Sequence, residues 1–127
     1  MANDSNIEGF DELLSKLNDM GRKGTAIENK ALKEGAEIIR SRAEQLAPES
    51  TIDHKHLKDN IEVSKVKTKD GVKYVEVGAS KDIWWANFEE FGTSQKSAKP
   101  FLQPAFEETN NQVVDTMKDI IKKELGL

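Results

Sequence analysis

The chain has 127 residues, of which 36% are hydrophobic and 33% are charged, and its formal net charge is −4. This composition predicts one soluble domain over residues 1–127, with residues 1–6 expected to be flexible. No apolar run is long enough to span a membrane, and the absence of cysteine excludes disulfides and thiol sites. Acids and bases are interspersed, which argues against sequence-specific nucleic-acid binding. The N-terminus lacks the pattern of a signal peptide, which predicts assembly or action in a cytoplasm.

The first part of the chain carries two helical patterns. Apolar residues recur at helical spacing up to Met20, and Gly21 and Gly24 interrupt this stripe. Thr25 is a predicted N-cap for a second helix over residues 26–46, which the following proline ends. The apolar face of this second helix is rich in alanine and glycine, so we expect another element to pack closely against it.

The middle of the chain predicts a loop followed by a β-hairpin. Residues 49–60 are polar and have no apolar period, so we expect a long loop that becomes ordered only in an assembly. Residues 61–64 alternate as a half-buried strand, Asp70 and Gly71 form a tight-turn signal, and residues 72–78 form the return strand. Two strands alone are marginal in water, so the hairpin must lie on a helix or contribute to a small antiparallel sheet.

The stretch from Ile83 to Phe106 contains six of the eight aromatic residues. It predicts a short aromatic helix that stops at Gly92, a polar loop over residues 93–99, and a long C-terminal helix with Pro104 at its first position. The chain is therefore predicted to be α+β, with two N-terminal helices, the β-hairpin, the short aromatic helix and the long C-terminal helix.

Angular positions divide the aromatic side chains between core and surface. At about 100° per residue, three of them share one face of the short helix. With two more from the C-terminal segment, they are predicted to plug the core: Trp84, Phe88, Phe91, Phe101 and Phe106. Glu90 lies away from this face. Trp85 lies at its rim, where it either packs against an adjacent subunit or covers a loop of its own subunit.

Residue types suited to chemistry are sparse. His54 and His56, beside Asp53, have metal-ligand character, but a metal site needs three or four ligands, and their place in a polar loop favours surface histidines. Glu89 and Glu90 are adjacent on the short helix, so they cannot face each other as an acid–base pair. We therefore predict no enzymatic activity, no cofactor and no metal.

Several short patterns also occur in a fixed order along the chain. They are Ala47-Pro48, Leu57 to Ile61, Val75 to Gly78, Trp85-Ala86, Glu90 to Thr93 and Pro100 to Ala105. In this order, residues 8–125 resemble the neck, or tail-completion, proteins of long-tailed bacteriophages and prophages. The most specific part is an aromatic-Ala-x-x-x-Glu-Phe-Gly-Thr block followed by Pro-Phe-Leu-x-Pro-Ala. The chain has Lys55-His56 where the family often has Thr-Gly, and Gln103 where it commonly has arginine, so Glu90 lacks an obvious arginine partner.

The resemblance implies a non-enzymatic structural protein of the virion that forms a ring, commonly hexameric, at the head–tail junction. Its implied partners are further copies of itself, the tail-tube protein and the head connector or stopper, after assembly in the bacterial host cytoplasm. Ring formation requires one surface of a subunit to meet a different surface of its neighbour. The candidate interface residues are Trp85, Glu90, Thr93, Lys96, Lys99, His54 and His56. The alternatives are a head-completion (stopper) protein of the neck and a small metal-dependent enzyme.

Overall fold

The computed structural model describes residues 9–48, 57–80, 86–92, 94, 97–98 and 100–127, with only the backbone described for residues 87–89. Its α-helices are α1 (Phe10–Asp19), α2 (Arg22–Leu46), α3 (Ala86–Phe91) and α4 (Leu102–Leu125), and a 3-10 helix covers Leu57–Asp59. Its strands are β1 (Ile61–Val63), β2 (Lys67–Lys69), β3 (Val72–Tyr74) and β4 (Val77–Ala79). This α+β arrangement confirms the predicted fold class.

Helices α2 and α4 are antiparallel and form the base of the fold. Near one end of the pair, Lys30 Nζ lies 2.7 Å from Glu124 Oε1. Near the other end, Arg42 Nε lies 2.5 Å from Glu108 Oε2. From the first ion pair to the second, the residue number rises in α2 and falls in α4, so the two helices run in opposite directions.

Two glycines in α2 allow neighbouring helices to approach closely, as its Ala- and Gly-rich face predicts. A Cβ atom added at Gly24 would overlap the backbone carbonyl of Leu17 in α1. A Cβ atom at Gly35 would lie 3.1 Å from side-chain atoms of both Met117 and Val113 in α4. The first contact involves rigid backbone and the second involves side chains, so the two positions differ in how much volume they can accept.

The predicted start of α2 is wrong. The helix begins at Arg22, with Gly21 as its N-cap at φ 64° and no side-chain cap hydrogen bond. Thr25 therefore lies inside the helix, and Gly24 packs against α1 instead of interrupting the chain. The predicted end is confirmed, because α2 stops at Leu46 and the next residue is extended ahead of the proline.

The buried side chains form two clusters along the α2–α4 pair. The first lies where the 3-10 helix, the strands and α3 meet the end of α2 and the start of α4, and consists of Ala43, Ala47, Leu57, Ile61, Ala86, Phe101 and Ala105. The second lies where α1 packs on the other end of the pair, and consists of Leu13, Leu17, Ile27, Ala31 and Ile121.

The β-hairpin is present, but a bulge divides it into two short antiparallel pairs, β1–β4 and β2–β3. Between the pairs, residues 64–66 lie opposite residues 75–76, so one strand carries an extra residue. The Glu76 N–H donates to Ser64 Oγ and the Ser64 N–H donates to the Glu76 carbonyl, both at 2.8 Å. The turn is the predicted one, with Asp70 and Gly71 both at positive φ (53° and 78°).

The loop predicted for residues 49–60 is shorter than expected at its C-terminal end. Leu57 is only 2% exposed and belongs to the first buried cluster, so a 3-10 helix is anchored there. In the sequence, Leu57 is an isolated apolar residue in a polar segment. Its burial could not be predicted, because its partners lie on other elements and give no periodic signal. Residues 49–56 lie outside the described residues.

Candidate assembly surface

The N-terminus of α4 is capped by a side chain that belongs to α3. The Glu90 carboxylate accepts hydrogen bonds from the backbone N–H groups of Phe101 (3.0 Å), Leu102 (2.9 Å) and Gln103 (3.3 Å). Glu90 is only 8% exposed, so its carboxylate is held inside the protein. Burial of a carboxylate requires such donors, and the positive end of the helix dipole also favours a negative charge at this place.

The sequence at the start of α4 explains why the cap comes from another helix. A helix leaves about four N–H groups at its start without partners in its own backbone. Phe101, in the N-cap position, makes no side-chain cap hydrogen bond, and Pro104 has no N–H to satisfy. The Glu90 carboxylate accepts from the other three residues. Pro104 is thus the third helical residue, and its prediction as the first is wrong by two positions.

This cap also explains how the chain can have Gln103 at the position where the resemblance leads us to expect an arginine. Glu90 needs no arginine partner in this chain, because backbone N–H groups supply its hydrogen bonds. A signal for the cap exists in the sequence. The segment at the start of α4 offers no serine, threonine, aspartate or asparagine to cap the helix, so an external acceptor is required.

Among the described side chains of α3, the ones that point inward differ from the prediction. Ala86 and Glu90, one turn apart, are both 8% exposed, whereas Phe91 is 78% exposed. The predicted core position of Phe91 is therefore wrong for the subunit, and so is the predicted interface position of Glu90. Capping decides the rotation of this short helix: when Glu90 turns inward, the next residue turns away by about 100°. Gly92 ends α3 at φ 77°, as predicted.

The aromatic residues of the α4 segment are divided between inside and outside. Phe101 has no exposed surface and belongs to the first buried cluster. Phe106 is 52% exposed, so its predicted core position is wrong. Small side chains face the core instead: Ala105 is fully buried, and Thr109, 6% exposed, donates to the Ala105 carbonyl at 2.7 Å. We call Phe91 and Phe106 the exposed phenylalanine pair.

Most of the predicted interface lies outside the described residues. This applies to His54, His56, Trp85, Thr93, Lys96 and Lys99. Of the predicted core plug, Trp84 and the side chain of Phe88 also lie outside the described residues. The core positions of Trp84 and Phe88 and the interface position of Trp85 therefore stay predictions. In the ranges that the structure describes, no group of three metal-ligating side chains is arranged to hold an ion. No helix within the same ranges is long and apolar enough to cross a membrane.

A polar groove lies between α2 and α4, away from the two buried clusters. Its lining consists of Glu34, Glu37, Ile38, Ser41, Arg42 and Gln45 from α2, and Gln112 and Thr116 from α4.

The charged side chains of α2 beside this groove are partly paired. Arg40 binds Glu37 at 2.6 Å and Glu44 at 2.9 Å. The hydrogen bond from Arg40 holds the pKa of Glu37 below its ordinary value, and the two carboxylates raise the pKa of Arg40. Glu37 therefore keeps its negative charge at neutral pH.

Residues 11–92 match the model of a family described as "Bacteriophage HK97-gp10, putative tail-component". The matched segment is more than half of the chain. The chain belongs to this HK97 gp10-like family. No curated protein and no solved structure matches it significantly.

The gp10-like match confirms the resemblance to tail proteins of long-tailed phages. It runs from the start of α1 to Gly92, so it contains Glu90 and the strands. The start of α4, which Glu90 caps, lies beyond the match. The cap therefore ties the matched segment to the C-terminal helix through three hydrogen bonds.

Proposed function

We propose that this phage tail component is a non-enzymatic subunit of a ring at the head–tail junction, where it completes the tail and joins it to the head. Membership of the gp10-like family supports a structural role in the virion. The observation that carries the proposal is the exposed phenylalanine pair, because it provides apolar contact area that the subunit itself leaves uncovered.

The exposed phenylalanine pair is suited to a protein contact. Burying a phenylalanine side chain that water otherwise surrounds is worth about 1.5–3 kcal/mol. The three hydrogen bonds from the start of α4 to Glu90 hold the backbone next to Phe91 in place, so little freedom is lost when a partner binds. Large aromatic side chains on a fixed backbone are typical of residues that dominate binding free energies.

A ring at this place has defined partners. Each subunit contacts two neighbouring copies through two different surfaces, and the ring contacts the tail tube on one side and the head connector or stopper on the other. The subunits assemble in the cytoplasm of the bacterial host and remain in the neck of the virion. The exposed apolar side chains of the described residues provide surfaces for such contacts.

Removal of the gene from the phage tests this function. Lysates of the deletion phage should contain DNA-filled heads and separate tails, because the joining subunit is missing, and wild-type protein supplied from a plasmid should restore joined particles. Electron microscopy of the lysates counts each class of particle. Heads that lose their DNA would instead indicate a head-completion (stopper) protein, since a stopper retains the packaged genome. Normal joined particles would overturn the proposal.

A further inference from the structure

The β2–β3 hairpin presents one face toward α2 and the other away from it. The cross-strand partners are Lys67 with Tyr74 and Lys69 with Val72, so these four side chains lie on one face. Lys73 lies on the other face, where its Nζ is 3.9 Å from Glu28 and 3.4 Å from Asn29 of α2.

The outward face of the hairpin is therefore both apolar and basic. We call Lys67, Lys69, Val72 and Tyr74 the hairpin face. Val72 is 66% exposed, and both lysines are exposed. Lys67 lies 3.4 Å from Glu76, whereas Lys69 has no ion-pair partner within the described part of the chain.

The α2–α4 groove lies on a different side of α2 from the hairpin. Asn29 contacts the hairpin, and Glu34, five residues later, lines the groove. Lys33 donates to the carbonyl of Ser64 at the hairpin base, and Ile38, again five residues later, lines the groove. Five residues correspond to about 140° around a helix, so the hairpin and the groove point in nearly opposite directions.

We propose that the hairpin face of one subunit docks into the α2–α4 groove of the next copy of the same chain. This contact rests on the proposed ring, and it supplies the two different, complementary surfaces that a head-to-tail ring requires. Because the two surfaces lie on nearly opposite sides of α2, a subunit cannot join them within itself. A neighbour on each side can join both.

Charge and shape favour a second copy as the occupant. The hairpin face carries two lysines, and the groove lining carries Glu34, Glu37 and Arg42. Arg42 is already paired with Glu108, so the carboxylates of the groove favour a basic partner. Val72 is the exposed apolar side chain of the hairpin face, and half-buried Ile38 is the apolar side chain of the groove, so an apolar contact can accompany the charge pairing.

Thiol cross-linking tests the contact directly, since the chain contains no cysteine. The double variant Lys69→Cys/Ser41→Cys places one thiol on the hairpin face and one in the groove, both at exposed positions. Phage carrying this variant is treated with a short bifunctional thiol reagent, and the products are separated on a denaturing gel. We expect a ladder of covalent oligomers, whose highest band gives the number of subunits in the ring.

Matched variants control for chance proximity. Each single cysteine variant should give no product beyond a dimer, because a chain with one thiol cannot extend a ladder. Lys69→Cys/Lys16→Cys, with the second thiol exposed on α1, should give no ladder. Charge reversal gives a second readout: Lys69→Glu and Glu34→Lys should each lower the incorporation of the protein into particles by about tenfold, and their combination should restore it.

The outcomes separate this contact from the proposed function. Particles that contain the protein in the neck but yield no ladder would overturn the hairpin–groove contact and leave the ring function standing. A ladder from oligomers located elsewhere would support the contact and contradict the neck location. Products limited to dimers, or charge reversals that do not compensate each other, would also overturn the head-to-tail contact.

Discussion

Glu90 and Phe91 are adjacent in the chain, yet they are 8% and 78% exposed. Hydrophobicity alone would place them the other way round. The carboxylate is buried because three backbone N–H groups at the start of α4 have no other acceptor, and a charge-assisted hydrogen bond is about twice as strong as a neutral one. At the scale of single residues, hydrogen bonding to a helix end thus outweighs the burial of one phenylalanine.

Glu90→Ala should lower the free energy of unfolding by about 2–3 kcal/mol, because it leaves the N–H groups of Phe101, Leu102 and Gln103 without an acceptor. Glu90→Gln keeps one amide oxygen and should cost less than Glu90→Ala. Urea denaturation of the three proteins measures these differences.

Glu107 provides the matched control for the cap. Its side chain is exposed and binds only the Gln103 amide among the described residues, at 3.1 Å. Glu107→Ala should change the free energy of unfolding by no more than about 0.5 kcal/mol. Equal losses for Glu90→Ala and Glu107→Ala would show that the cap contributes nothing specific to the start of α4.

At the scale of elements, the helices approach each other where α2 lacks side chains. Gly24 lies against the backbone of α1, whereas Gly35 lies against two side chains of α4, the flexible Met117 and the stiffer Val113. Backbone cannot move aside without displacing the whole of α1, whereas a methionine side chain can adopt another rotamer. The two positions therefore differ in how well they tolerate a larger side chain, although both belong to the same helix.

Gly24→Ala should destabilise the protein by about 2 kcal/mol or more, because overlap with the Leu17 carbonyl exceeds the gain in helix propensity. Gly35→Ala should cost less than Gly24→Ala, because the helix gains about 0.5–1 kcal/mol and Met117 can adjust, so that only the contact with Val113 opposes the change. Thermal unfolding followed by circular dichroism compares the two variants. A larger loss for Gly35→Ala would contradict the close contact between α1 and α2.

The ion pair between α2 and α4 makes stability depend on pH. The hydrogen bond from Lys30 holds the pKa of Glu124 below its ordinary value of 4.5 in the folded protein. The stability that this pair contributes is fully present above the unfolded pKa, and it is lost as the pH falls through the lower folded pKa. When the pH is lowered below about 4.5, the melting temperature should therefore decrease, and it should decrease less in Glu124→Gln. Identical pH profiles for the two proteins would show that the pair contributes nothing.

At the scale of the whole molecule, the two clusters contain the large apolar side chains that are buried among the described residues, and the exposed phenylalanine pair lies outside both. A subunit that acts only within an assembly can carry such side chains, because its neighbours cover them. The stability of the isolated subunit and its ability to assemble should then depend on different residues.

Phe91→Ser/Phe106→Ser should change the free energy of unfolding by less than about 1 kcal/mol, because both side chains are already exposed. Phe101→Ala, at the fully buried position, should cost about 3–5 kcal/mol. The double variant should nevertheless yield few joined particles in complementation of a deletion phage. Normal joining by a stably folded double variant would exclude the exposed phenylalanine pair as a contact surface.

The sequence by itself determined the order and type of the main elements. Helical periodicity indicated α1, α2 and α4, the Asp70-Gly71 signal placed the hairpin turn, Pro48 ended α2 and Gly92 ended α3. The ordered motifs also identified the class of phage tail protein, which the family match confirms. These features depend on local backbone preferences and on side chains close together in the chain, so a linear pattern contains them.

Only the tertiary structure decided which face of α3 points inward, where α2 and α4 begin, and why Leu57 is buried. Each depends on contacts between different elements. Glu90 lies 11 to 13 residues before the N–H groups that it caps, and Gly24 of α2 packs against the backbone of α1. Periodicity describes how side chains are distributed around a helix axis. It does not show whether burying an aromatic face stabilises the protein more than supplying an acceptor to the unpaired N–H groups of another helix. That balance is set when the two helices meet.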